Sequence, residues 1–387
     1  MRRTFGNYIY RKDFLPSPRP KEDEFYTEIP YVVRDGWTIL KVKLNDGPKE
    51  YSFIFDTGAR SFVTDSIAKE LGLNPIRYKK TVDTNGSVAY ASLYKVDISI
   101  GKFRVNGLGI LSKSNFTNLS KDCYQIDGII GANILNQCVF HFDSEKDTLH
   151  ITNSIDRIPK TKRLNKLRLI NHNWSGNSMV KIKVNGKKGK FLFDTGSANL
   201  LFIEQKKASG QIPAKQRIGY IGGLHSLKID TFSFYKIQRM TLGKEKTKIF
   251  NEHVAISYST VENNLGNGIL KKYLVTLDRR EKRLYLSPKK VDTEKLEISN
   301  LQFNFEMGKV LVSSLTIDCE LQKMGLILGD TITLINDIRT DSFKDYCTFS
   351  SFKDSLISNI KNKDIILTTK RGILEQKYTV TNNLLYD

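Results

Sequence analysis

Two tetrapeptides in this chain carry the residue types for acid–base chemistry, Asp56-Thr57-Gly58-Ala59 and Asp194-Thr195-Gly196-Ser197. A single Asp-Thr-Gly is most simply a turn, in which the carboxylate accepts backbone amides and glycine bends the chain. A pair means more. Two carboxylates brought to one site cannot both ionise easily, so they hold one proton between them. One can then act as general base on a bound water while its protonated neighbour polarises an acyl carbonyl. Such a dyad needs no metal and no organic cofactor, and its apparent pKa values belong to the pair. The hydroxyls of Thr57 and Thr195 suit hydrogen bonds across to the opposite loop. Gly58 and Gly196 leave room for the backbone to approach the carboxylates.

A duplicated unit would position these loops. Residues 37–150 and 177–286 follow one order of elements. Each copy opens with an alternating strand (38–44, 179–184) and turns at Asp46-Gly47 or Asn185-Gly186. An apolar strand then ends in the Asp-Thr-Gly words. Further on come Ile129-Ile130-Gly131 and Asn264-Leu265-Gly266, each leading into a short helical run and then a strand ending in Asp143 or Asp278. The aspartates lie 138 positions apart (194 minus 56), and the later glycines 135 apart (266 minus 131). Helix is confined to short pieces such as 65–71, so each copy reads as a small, mostly antiparallel β domain.

These residues resemble the aspartic peptidases, the family of pepsins and retropepsins, across about residues 36–288. The resemblance implies a mostly β chain with two pseudo-twofold-related, retropepsin-like barrel lobes. It implies Asp56 and Asp194 as catalytic residues, supported by Thr57, Gly58, Ala59, Thr195, Gly196 and Ser197. Ile130, Gly131, Leu265 and Gly266 would pack behind the loops. The implied activity is endopeptidase hydrolysis of a polypeptide held extended between the lobes, without metal or cofactor, and one chain suffices. Two positions depart from the retropepsin pattern: its acid–arginine pairing is replaced by Arg60 with Ala132, and by Ala198 with Asn267. A different local solution is therefore expected. Arg60 turned inward would favour ionisation of Asp56; turned outward it is solvated. Substrate-covering flaps are expected at Asn85-Gly86, beside Thr84, and at Gly222-Gly223, with His225 nearby as a surface histidine.

Beyond a polar linker lies a third unit, with strands at 310–315 and 331–335, a helix within 343–360, and a hairpin across Lys370-Arg371-Gly372. Through Gly325-Leu326-Ile327-Leu328-Gly329-Asp330 it resembles a PDZ domain. That implies capture of a peptide C-terminus as an added strand, with a carboxylate loop near residues 305–308, although Glu306 is an acid where an anion would dock. The expected order is an extension (1–35), first lobe (36–155), linker (156–176), second lobe (177–288), linker (289–299) and PDZ-like unit (300–383). Tandem lobes followed by such a unit are similar to exported bacterial proteins of the Bacteroidetes type, which favours the periplasm or cell envelope.

Size and composition agree with a multidomain folded chain. At 387 residues it exceeds what one core serves, and 40% apolar with 26% charged residues is ordinary. No apolar run reaches the roughly 18–20 residues a membrane helix needs, and no secretory signal stands at the start. Lys and Arg number 61 against 41 Asp and Glu, a net +20. The excess is scattered and accompanied by no recognition helix, finger or RNA-binding signature, so specific nucleic-acid binding is not expected. Four cysteines without CxxC spacing suggest isolated thiols rather than a zinc site or disulfide framework. The rival to catalysis is a peptide-binding protein that uses the lobes and the third unit without cleaving.

Overall fold

The computed structural model describes residues 25–83, 85–114, 116, 120–135, 138–171, 177–204, 213–237, 239–242, 253–257, 262–289, 299–359 and 364–381. Within them the protein is mostly β, arranged in three sheets. Period-two patterning sets the first. In strand Trp37–Leu44, Val42 and Leu44 are buried while Lys41 and Lys43 face solvent. The chain then turns at Asn45 and Asp46, with φ of 47° and 54°. Sequence pattern placed this turn at Asp46-Gly47. The left-handed pair sits one residue earlier, because Asn and Asp tolerate that region and the Gly47 amide closes on the Leu44 carbonyl at 2.9 Å. In the second copy the turn does fall on Asn185-Gly186, with φ of 42° and 86°.

The returning strand, Glu50–Asp56, pairs in parallel with Gly128–Gly131, which sets Asp56 opposite Gly131. The second copy repeats this register: Lys187–Asp194 runs parallel to Asn264–Gly266, and Asp194 stands opposite Gly266. Both loops therefore leave their sheets at equivalent points. A short helix, Asp65–Glu70, follows the first loop, capped by the Thr64 hydroxyl.

A six-stranded sheet joins the copies. Its order is Tyr26–Pro30, Thr148–Thr152, Val139–Asp143, Tyr273–Asp278, Arg283–Pro288 and Lys166–Arg168. The central pair takes one strand from each copy, with His141 opposite Thr276. Its outermost strands come from stretches that pattern assigned to an extension and a linker; three to five residues are too few for alternation to announce itself. Phe140, Phe142, Leu149 and Ile151 project into a core shared with both lobes. Phe55, next to Asp56, packs on Phe140 and Phe142 with ring centroids 5.4 and 5.3 Å away. Burying one such ring is worth about 1.5–3 kcal/mol, which anchors the Asp56 strand to this sheet.

The third unit has its own core, including Phe303, Val310, Phe349 and Tyr378. Its helix spans Tyr346–Asn359, and its hairpin, Ile365–Arg371 with Leu374–Val380, turns at Gly372 with φ 61°. The Gly329-Asp330 motif has a local reason. Buried Asp330 accepts both the Nε and Nη2 of Arg371, at 2.6 and 2.7 Å, and the Ile327 amide at 2.9 Å. The carboxylate loop expected near residues 305–308 is instead a tight hairpin turn, with Met307 and Gly308 at φ 50° and 75°.

This unit is fastened to both lobes. Strand Lys309–Thr316 pairs antiparallel with Lys215–Gly222 of the second copy, matching Arg217 to Thr316 and Gly219 to Ser314. A Cβ at Gly219 would lie 2.9 Å from that of Ser314, so the close approach requires glycine. On the other side, Cys123 and Cys347 form a disulfide with Cα atoms 5.9 Å apart. This corrects the expectation of isolated thiols: the partners lie 224 positions apart, invisible to any short spacing rule. Around it, the Asp35 carboxylate accepts the Tyr124 and Tyr346 hydroxyls, and Lys121 pairs with Glu306 at 2.9 Å. Cys138 and Cys319 remain thiols. Among the described residues no helix is long and apolar enough to cross a membrane.

Candidate active site

The two loops meet through an exchange of threonine hydrogen bonds. The Thr57 hydroxyl donates to the Phe193 carbonyl at 2.7 Å and accepts the Thr195 amide at 3.0 Å. Thr195 reciprocates, donating to the Phe55 carbonyl at 2.7 Å and accepting the Thr57 amide at 3.1 Å. All of these groups are buried, so breaking one would strand a donor or an acceptor away from water. Each carboxylate then lies against the glycine of the opposite loop. A Cβ built on Gly58 would overlap the Asp194 carboxylate, and one on Gly196 would overlap that of Asp56.

Asp56 and Asp194 are hydrogen-bonded to each other. Each keeps some accessible surface, yet both sit deep enough that burial leads their titration. Asp56 is pushed well above the carboxylate range by burial, then by the charge of Asp194 and the hydrogen bond to it. The Gly58 and Ala59 amides, at 2.7 and 2.9 Å, pull the other way and lose. Asp194 is also raised by burial, but more hydrogen bonds oppose the rise: Asp56, the Asn264 side chain, and the Gly196 and Ser197 amides. Both carboxyls are thus raised, and Asp194 has a side-chain donor, Asn264, that Asp56 lacks.

Asn264 has no counterpart in the first copy, where Ile129 stands. In the sequence Asn264 is the polar residue at a position that is apolar in the first copy. Its amide in fact donates to Asp194 Oδ2. Ile130, Gly131, Leu265 and Gly266 lie in the parallel strands behind the loops and are buried.

In place of an acid–arginine pair, the first copy uses Ser61 and Asn133. The Ser61 hydroxyl donates to Asn133 Oδ1 at 2.8 Å and accepts the Gly131 amide at 2.9 Å, while Asn133 Nδ2 holds the Gly109 carbonyl at 2.8 Å. In the second copy Asn267 Nδ2 donates to the Gly36 carbonyl of the first lobe at 2.6 Å. The loops are also braced crosswise. Trp37 Nε1 donates to the Gly196 carbonyl at 2.8 Å, and Asn177 Nδ2 donates to that of Gly58. Pattern gave no hint of either brace, since both act across the lobe boundary. Arg60 is half-buried, and burial lowers its guanidinium to about 10. Asp56 is raised all the same, so any pull from Arg60 is outweighed.

Asn85 and Gly86 lie in the turn of the hairpin Arg77–Val82 with Val88–Ile100; Thr84 falls outside the described residues. Gly222 and Gly223 end the hairpin Lys215–Gly222 with Leu227–Ile237. The two tips touch through Asp83. One oxygen of this carboxylate accepts the Asn85 and Ser87 amides at 3.0 and 2.9 Å. The other accepts the His225 amide at 2.9 Å and the Ser226 hydroxyl at 2.8 Å. Burial alone would raise Asp83, but these donors together hold it below its ordinary value. His225 is no plain surface residue. Its Nε2 lies 2.9 Å from the Thr81 hydroxyl, and burial lowers its pKa. Leu224, between them, packs on a first-lobe cluster that includes Ile54, Ala59 and Ile129, so this tip reaches the neighbourhood of the Asp56 loop. A cavity of about 290 Å³ beside the tips is lined by Tyr90, Lys113 and His225, and by neither aspartate.

Comparison with known proteins agrees with this geometry at the level of the first copy. The aspartyl protease family model matches residues 40–134, a stretch that holds Asp56, Gly131 and the first hairpin. No curated protein matches the chain. Among solved structures, the basic 7S globulin from soybean aligns at 10% identity with a TM-score of 0.41, covering 68% of this chain and 95% of its own. That likeness is too loose to bear on activity.

Proposed function

We propose that the chain is an aspartic endopeptidase in which Asp56 and Asp194 activate one water. The observation that carries this reading is the dyad itself: two carboxylates hydrogen-bonded to each other, at matching registers, on loops locked by reciprocal threonines. Ionised Asp194 takes a proton from water as the oxygen attacks the scissile carbonyl carbon, while Asp56 gives its proton to the carbonyl oxygen. The resulting gem-diol collapses as Asp56 takes a hydroxyl proton back and Asp194 hands its proton to the amide nitrogen, breaking the C–N bond. Neither step calls on a metal. The meeting hairpins act as flaps over an extended polypeptide, and both halves of the site lie in one chain.

The third unit we read as PDZ-like, serving to tie the lobes together rather than to capture a peptide terminus. In support, Glu306 is engaged by Lys121, and the disulfide holds the helix Tyr346–Asn359 to the first lobe. A disulfide that persists also favours an oxidising address such as the cell envelope.

The decisive experiment is cleavage of an unbiased peptide library from about pH 3 to about pH 8 by wild type, Asp56→Asn and Asp194→Asn, with and without pepstatin. Cleavage by wild type alone is expected. A folded wild type that cuts nothing over this range would favour a binding protein instead.

A further inference from the structure

The sheet between the lobes holds a second cluster of chemically capable side chains. His141 and Asp143 alternate with core-facing Phe140 and Phe142, and His150 alternates with Leu149 and Ile151, so all three project from the opposite face. All three are buried. His141 and His150 are direct cross-strand partners, with ring centroids 5.3 Å apart. We propose that His141, Asp143 and His150 bind one divalent transition-metal ion of the zinc type, bracing the interlobe sheet.

Three observations carry this. First, one ligand atom from each residue can be chosen so that all lie within 4.8 Å of one another. Metal bonds of about 2.0–2.2 Å impose a spacing nearer 3.3 Å, a contraction that side-chain torsions can supply.

Second, the outer nitrogens are already held. His141 Nδ1 lies 2.7 Å from the Thr276 hydroxyl, and His150 Nδ1 lies 2.6 Å from the Tyr26 hydroxyl. Tyr26 gives its single proton to Glu28 at 2.7 Å, so its oxygen receives the Nδ1–H of His150. The other nitrogen of the same ring, Nε2, faces Asp143 Oδ2 at 4.0 Å. Outer hydrogen bonds that fix ring tautomers in this way are the usual surroundings of metal-bound histidines.

Third, the duplication supplies a comparison. The second copy places Thr276, Asp278 and Tyr285 where the first has His141, Asp143 and His150. It keeps the carboxylate but sets Arg280 3.8 Å from it. One carboxylate thus has an arginine beside it and its counterpart has two imidazoles. Two nitrogens and one oxygen suit Zn²⁺, with the fourth position left for water.

The test uses the full chain, stripped by a chelator and titrated with ZnCl₂ by calorimetry, with Cys319→Ser included to remove the half-buried free thiol. One equivalent of Zn²⁺ should bind and raise the unfolding midpoint in both. His150→Gln and Asp143→Asn should weaken binding beyond the about 10–100-fold that loss of an outer partner costs, and Tyr26→Phe should fall within that range. Absence of stoichiometric uptake by wild type, or equal uptake by His141→Gln/His150→Gln, overturns the proposal. Should the variants fail to fold, Co²⁺ added to the stripped wild type decides: a tetrahedral spectrum without thiolate charge transfer supports the site, and a thiolate band or no spectrum overturns it.

Discussion

The two loops that carry Asp56 and Asp194 share a register and a reciprocal threonine lock, yet one side chain that reaches a carboxylate distinguishes them. Behind Asp56 stands Ile129, which offers nothing to a carboxylate. Behind Asp194 stands Asn264, whose amide donates to it. Matching registers thus carry an unequal pair, in which Asp194 has one side-chain donor more than Asp56. Matching registers bring the two carboxyls together; the extra donor makes their environments differ, as the proposed division into acid and base requires.

The comparison can be broken most directly by removing either acid. Asp56→Asn and Asp194→Asn should each lower kcat by about 10²–10⁴-fold, measured with a peptide the wild type cleaves, because both roles are needed whichever residue holds the proton. Thr57→Ala and Thr195→Ala come next. Each strands buried partners, and each should cost about 2–4 kcal/mol in denaturant unfolding. Similar values would show that the lock, unlike the acids, is symmetric.

Smaller effects sharpen the difference. The folded-state pKa of Asp56 lies above its ordinary value, so ionisation costs stability as pH rises from about 4. Asp56→Asn should therefore melt above wild type at neutral pH, with the gap closing below about pH 4. Asn264→Leu removes a donor that holds Asp194 down, so the acid limb of kcat/KM should move to higher pH. Ile129→Asn should move the alkaline limb to lower pH; no movement in either would refute the assigned asymmetry. Least of all, Asp83→Ala should speed hydrogen exchange at both hairpin tips and raise KM several-fold while leaving kcat nearly unchanged, since it touches their contact and not the acids.

Much of this was legible in the residues. The repeat, the paired Asp-Thr-Gly loops, the hairpin tips and the helix of the third unit follow from spacing, turn chemistry and alternation, all local quantities. What escaped were contacts made across long separations. Trp37 and Asn177 brace the opposite loop, Cys123 finds Cys347, and the sheet's outermost strands come from an apparent extension and an apparent linker, none of it marked by periodicity. Asn264 lies between these cases. It was visible as a misfit in an apolar pattern, but only the fold shows that the misfit points at a carboxylate. His225 was misjudged for the same reason, its partners lying on a hairpin of the other lobe.

One strand in this molecule has two loyalties. Lys215–Gly222 forms a hairpin with Leu227–Ile237 and also shares a ladder with Lys309–Thr316. Its counterpart in the first lobe, Arg77–Val82, ends its sheet and, among the described residues, pairs only with its own hairpin partner. Of two hairpins that touch at their tips, one is also bolted to a neighbouring wall. A displacement of the C-terminal unit is therefore delivered to Lys215–Gly222 before it can reach Arg77–Val82.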